Sequence, residues 1–165
     1  MKDMQEIWTP RCLLAEIGSG EADRLIEIFE DPETQRFLPD LSKMIHEKGG
    51  INVFLDAFNQ DVEDSSGLLY GIYQGGIVIG FIAIMGIPEN PFIFYAIHPE
   101  KRRNGYMAES IKALMEYMDS TGICRRLSTY VALDNIASEK ILTQVGFILD
   151  RYDAEERMNI YTKQF

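Results

Sequence analysis

The chain has 165 residues, 46% of them hydrophobic and 25% charged, enough for one domain over residues 1–165 with a buried core. Its formal net charge of −10 weighs against a nucleic-acid partner, because such binding rests on neutralising phosphates, and leans only slightly towards a cationic substrate. The longest apolar stretch, Ile77 to Ile87, is broken by Gly80 and Gly86, so no membrane span is expected. Met1-Lys2-Asp3-Met4-Gln5-Glu6 lacks the apolar core of a signal peptide. Cys12 and Cys124 offer neither a disulfide framework nor a metal-ligand spacing, which suits reduced thiols in a cytoplasmic protein without a metal.

In chain order, Leu13 to Ile17 reads as a short strand closed by Gly18-Ser19-Gly20. Glu21 to Glu30 reads as a helix, since Ala22, Leu25, Ile26 and Phe29 recur at three- and four-residue steps, and Asp31-Pro32 stops it. Leu41 to Lys48 predicts a second short helix, broken by Gly49-Gly50, and Val53 to Phe58 a third. Leu68 to Gln74 and Ile77 to Met85 flank Gly75-Gly76, the mark of a hairpin. The second of these strands is apolar on both faces and belongs inside its sheet.

Phe92 to Ile97 is the next strand, and it leads into Lys101-Arg102-Arg103-Asn104-Gly105, followed from near Met107 by an amphipathic helix carrying Ile111, Leu114, Met115 and Met118 on one face. A strand, a basic glycine-containing turn and a helix form an anion-binding arrangement. The first N–H groups of the helix have no partner within it, and Gly105 lets the main chain approach a ligand. A pyrophosphate suits that geometry, although a lone glycine after a strand is a common pattern. Leu127 to Leu133 predicts a strand, Asp134-Asn135 an N-cap for a helix to about Gln144, and Gly146 the turn that ends it. Phe147 to Leu149 and Met158 to Thr162 predict a final pair of strands.

The stretch Ile97-His98-Pro99-Glu100-Lys101-Arg102-Arg103-Asn104-Gly105-Tyr106-Met107-Ala108-Glu109 resembles motif A of the GCN5-related N-acetyltransferases (GNAT), a Q/R-x-x-G-x-G/A segment that cradles the pyrophosphate of acetyl-CoA. Asn135-Ile136-Ala137-Ser138 followed by Gly146-Phe147 resembles the family's N-x-x-S…GF segment. Thr9-Pro10-Arg11-Cys12-Leu13-Leu14 and Asp31-Pro32-Glu33 resemble the Rim-type branch, which includes ribosomal-protein and polyamine N-acetyltransferases. The resemblance implies an α/β (α+β) fold with a mixed, mostly antiparallel sheet of about six or seven strands, helices on both faces, and a splayed strand before the pyrophosphate loop.

Residue by residue, the resemblance implies that Arg102 takes the Q/R position, Gly105 the glycine and Met107 the G/A position, where a small residue is usual. Arg103, Asn104, Tyr106 and Ala108 complete the loop that meets the cofactor. The backbone of Tyr95, Ala96 and Ile97 would pair with the pantetheine arm, Asn135 would face the thioester end, and Ser138 would lie near the sulfur. The reaction implied is direct acetyl transfer to a primary amine, with acetyl-CoA as co-substrate and no metal. The acceptor is either a small molecule or a protein N-terminus, and the protein either a monomer or a homodimer.

Ser138 is the candidate acid or sulfur-side donor, although a serine in a helix's first turn also serves as a cap. The base is harder to place, because Phe92 stands where many relatives carry Glu and Leu142 where others carry an acid Tyr. Tyr95 and Glu89 are the nearby substitutes, Tyr95 serving equally as packing and Glu89 as a turn residue. His98, Asp150 and Glu155 are further candidates, His98 because its unperturbed pKa lies near neutrality. His46, Lys43, Lys48, Arg125 and Arg126 read as solvated faces, and Phe37, Phe54, Phe58 and Tyr73 mainly as core. The alternative to a transferase is a CoA-binding regulatory module that has lost its chemistry.

Overall fold

The computed structural model describes residues 3–47 and 49–165. Eight strands among these residues form one sheet in the order β1-β2-β3-β4-β5-β6-β8-β7. They are β1 (Ile7–Trp8), β2 (Leu13–Ala15), β3 (Gly67–Gln74), β4 (Ile77–Met85), β5 (Phe92–Ile97), β6 (Arg126–Ala132), β7 (Ile148–Asp153) and β8 (Met158–Gln164). Every neighbouring pair is antiparallel except β5 and β6. The count exceeds the expected six or seven because β1 is a two-residue strand, too short to leave a periodic pattern.

Among the described residues six helices cover the sheet: α1 (Ala22–Glu30), α2 (Pro32–Phe37), α3 (Pro39–Glu47), α4 (Ile51–Glu63), α5 (Tyr106–Thr121) and α6 (Ile136–Gln144). The Asp31-Pro32 break ends α1 and also begins α2. Asp31 is extended at φ −65°, ψ 128°, and its carboxylate accepts the N–H of Thr34 as an N-cap, while Pro32 supplies a first-turn φ. The predicted end of α3 at Lys48 lies outside the described residues. No helix among them is long and apolar enough to cross a membrane.

Because β4 is apolar throughout, it carries a core on each face. On one side Phe81 packs with Phe29 and Phe54 at ring-centre distances of 5.3 and 5.5 Å, joining α1, α3 and α4 to the sheet. On the other side Ile82, Ile84 and Ile93 meet Ile111, Leu114, Met115 and Met118 of α5, with Leu142 of α6 and Phe147 beyond. Alternation along β5 divides its side chains between these faces. Ile93, Tyr95 and Ile97 turn to the α5 side and Ala96 to the α1–α4 side.

Candidate active site

β5 is the strand on which the site is built. On one edge it pairs with β4 along its whole length, from Met85–Phe92 to Gly80–Ile97. On the other edge it meets β6 at one position, Phe92 with Ser128, and the two strands then part. The Thr129 hydroxyl donates to the Ile93 carbonyl at 2.9 Å and satisfies the last backbone acceptor before the gap. From Phe94 to Ile97 the backbone has no strand beside it on that edge. Unpaired strand edges bind extended polar chains, since each N–H and C=O there needs a partner.

The gap opens into a cleft of about 890 Å³ whose walls include α2, β5, the loop after it and α6. At its foot the chain turns from β5 through a short 3-10 turn at Pro99–Lys101 into α5. Gly105 is the N-cap residue of α5 and is left-handed at φ 79°, a conformation that strains any residue with a Cβ. No side chain caps α5, so the first-turn N–H groups are left for an anion. Arg103 is also left-handed at φ 63°, which draws the loop tightly round the helix end.

The predicted residues Tyr95, Ala96, Ile97, Arg102, Arg103, Gly105, Tyr106, Met107, Ala108, Asn135 and Ser138 all line this cleft. Asn104 does not. Its amide folds back onto the carbonyls of Lys101 and Arg102 at 3.3 and 2.9 Å and shapes the turn instead. The Arg102 guanidinium reaches across to α2, with Asp31 at 2.6 Å, Glu33 at 2.7 Å and the Thr34 hydroxyl at 3.1 Å. Burial alone would raise the Asp31 pKa, but the bonds from Arg102 and from the Thr34 N–H outweigh it and hold the carboxyl below its ordinary value. Arg102 therefore ties the loop to α2 through its side chain.

The Tyr95 and Ser138 hydroxyls are hydrogen-bonded to each other across the gap. Asn135 is the N-cap of α6, and its side-chain oxygen accepts the Ser138 N–H at 3.2 Å. That leaves the serine hydroxyl to Tyr95 rather than to capping. Burial pushes the Tyr95 pKa up to about 12, while the Ser138 bond opposes the shift, so the phenol stays protonated at neutral pH. A protonated phenol can donate a proton or a hydrogen bond.

The other candidates lie elsewhere. His98 is buried, its Nε2 within 3.0 Å of Glu27 and its Nδ1 accepting the Glu100 N–H at 3.3 Å, and it does not line the cleft. Glu89 is exposed in the β4–β5 turn, Asp150 is held by Arg126 and Arg151, and Glu155 sits in the β7–β8 turn. Phe92 stacks on Tyr130 with ring centres 5.4 Å apart, and Leu142 is fully buried.

Two contributors escaped the sequence reading. Arg11, in the β1–β2 turn, donates to the Asn104 carbonyl at 2.8 Å and to Glu109 at 2.8 Å, with its guanidinium 4.4 Å from the Tyr106 ring centre. Thr9 adds a bond to Glu109 at 2.7 Å, so the first turn of the chain braces the start of α5. Phe37, expected mainly as core but among the aromatics that could line the acceptor slot, also lines the cleft, together with Leu38 just past α2. Thr9-Pro10-Arg11 was visible as a motif, but nothing local connects it to a helix about a hundred residues on.

A parted pair of parallel strands beside an uncapped, glycine-led helix is the arrangement that the resemblance to the acyl-transferring GNAT fold implies. The family model described as "Acetyltransferase (GNAT) domain" matches residues 11–148, and the chain belongs to that family. It is 28% identical over 144 residues to the uncharacterised N-acetyltransferase YoaA of Bacillus subtilis strain 168, covering 84% of this chain and 80% of that protein. The fold is shared with RimL, a ribosomal L7/L12 alpha-N-protein acetyltransferase solved with coenzyme A, at a TM-score of 0.86 and 18% identity over 98% of each chain. It is shared also with the microcin C7 self-immunity acetyltransferase MccE, solved with acetyl-CoA and AMP, at a TM-score of 0.75 and 17% identity over 94% of this chain and 93% of that one. The protein is thus an acyl-CoA-dependent acetyltransferase of the GNAT family.

Proposed function

We propose that the protein transfers an acetyl group from acetyl-CoA directly to a primary amine. The observation that carries this reading is the open edge of β5 running into the uncapped N-terminus of α5. Acetyl-CoA supplies the acetyl group already activated as a thioester. The N–H groups of Tyr106, Met107 and Ala108 hold the pyrophosphate, assisted by the charge of Arg103. Met107 is buried against the core, so its side chain points away from the phosphates and leaves its N–H usable. The open backbone of β5 pairs with the pantetheine arm and polarises the carbonyl.

In the transfer, the nitrogen of a neutral amine forms a bond to the acetyl carbon as the carbon–sulfur bond breaks. The amine loses one proton to solvent, and the sulfur gains one from the Tyr95–Ser138 hydroxyl pair, which is reprotonated from solvent. A second reading, a CoA-binding module with little chemistry, draws on the absence of a base at Phe92 and Leu142.

A thermal-shift titration with acetyl-CoA, CoA and ATP tests the cofactor. At about a hundred times its dissociation constant a ligand stabilises the fold by about 2.7 kcal/mol. The native chain shows that shift with acetyl-CoA and CoA but not with ATP. Gly105→Glu loses it, because its left-handed backbone and new carboxylate both oppose a phosphate. Absence of a CoA-selective shift in the native chain overturns the reading, and a shift without turnover of any amine favours the binding module.

A further inference from the structure

The two faces of the splayed strands differ in kind. Tyr95 and Ser138 stand on the α5–α6 side, whereas Phe92 and Tyr130 stack in near-parallel planes, 5° apart, on the side of α1–α4. Alternation puts Phe94 on that same side, between Phe92 and Ala96. Phe94, Tyr130, Phe37 and Leu38 all line the cleft, and Tyr130 is 37% exposed. The approach to the parted strands opposite the hydroxyl pair is therefore an aromatic wall.

The charges of the cleft run against those of the chain. Although the whole protein carries −10, the cleft is lined by Lys101, Arg102, Arg103 and Lys140 against Asp31 and Glu33. Both of these carboxylates are already engaged by Arg102. Asp134, at the β6–α6 turn, is paired with Arg36 of α2. Among the described residues, each lining carboxylate is thus ion-paired with Arg102 and placed on the α2 side of the cleft. Aromatic faces also attract cations, but Lys140 of α6 and the basic loop residues share the cleft with them.

These observations bear on the basicity of the acceptor. A lysine-type or polyamine nitrogen has a pKa of about 10.4 and arrives charged at neutral pH, whereas an α-amino group, at about 7.7–8.0, is neutral in a substantial fraction. A site without a base favours the amine that needs none. We propose that the acceptor is a weakly basic α-amine carried beside an aromatic or branched apolar group, such as an amino-acid amide or a peptide N-terminus with such a first residue. The neutral amine attacks the acetyl carbon as the carbon–sulfur bond breaks, its proton passes to solvent, and the departing thiolate takes one from the hydroxyl pair, which is reprotonated from solvent. The inference rests on the transferase reading above.

The test compares phenylalaninamide, glycinamide and spermidine as acceptors, following acetyl-CoA-dependent thiol release at neutral pH. Phenylalaninamide gives a kcat/KM about tenfold or more above both others. Phe94→Ala, and independently Tyr130→Ser at the more exposed ring, bring the ratio of the two amides towards one. Spermidine at or above phenylalaninamide, or equal kcat/KM for the two amides, overturns the inference while leaving the transferase intact. A CoA-selective thermal shift without turnover of any amine overturns both.

Discussion

β5 has two edges of opposite character. Towards β4 it is in register at six positions, from Gly80–Ile97 to Met85–Phe92, and towards β6 it pairs at one. The first edge satisfies its backbone internally and belongs to the scaffold. The second keeps polar backbone unpaired beside a cleft, an arrangement that persists only when water or a ligand takes the missing partner's place. The same six residues thus build the core on one edge and the site on the other. The strand part of the site is held to geometry by its paired edge, which favours a positioned reaction.

The largest expected effect comes from the open edge. Tyr95→Phe removes the hydroxyl that spans it to Ser138 and lowers kcat about a hundredfold, with the KM for acetyl-CoA little changed, as steady-state kinetics will show. The same variant reports on pH. The Tyr95 pKa is raised from an ordinary 10 to about 12, so its contribution to stability is full below pH 10 and lost as pH rises through 12. The native chain therefore loses stability relative to Tyr95→Phe across that window, measured by urea unfolding at several pH values. A parallel decline of both chains would remove the burial argument for a protonated donor.

Next comes the closed edge. A Cβ at Gly80 would lie 2.7 Å from the Ala96 carbonyl, so Gly80→Ala forces β4 and β5 apart where they are registered. Overpacking of this kind costs about 1–3 kcal/mol, read as a lower urea midpoint, and displaces Ala96, so the acetyl-CoA thermal shift weakens as well. If binding is untouched, the two edges are not mechanically linked. The smallest effect is at the clasp between them. Thr129→Val keeps the shape but strips the Ile93 carbonyl of its hydroxyl donor, destabilising the fold by about 1–2 kcal/mol. A neutral result would mean that water replaces the threonine at the apex of the gap.

Much of the scaffold was legible because it is written in local patterns. The Gly75-Gly76 hairpin, the run of β5 from Phe92 to Ile97 and the helix after Gly105 follow from periodicity and turn chemistry, and each lies within a residue or so of its expected bounds. The shape of the basic turn before α5 was readable for the same reason, since one glycine, the basic residues and the helix start are contiguous. α2 was not, because Asp31-Pro32 reads as an ending, and only the Thr34 N–H bonded to Asp31 shows that it is also a beginning.

What the sequence by itself determined was the order of elements, the basic glycine turn before α5 and the family likeness, all of them carried by neighbouring residues whose backbone preferences act over a few positions. Only the tertiary structure decided the pairing of Tyr95 with Ser138, the bracing of α5 by Arg11, the engagement of Arg102 by Asp31 and Glu33, and the aromatic wall of Phe94 and Tyr130. The physical reason is that each of these joins segments distant in sequence, and hydrogen bonding, charge pairing and burial depend on distance in space, which no local periodicity encodes.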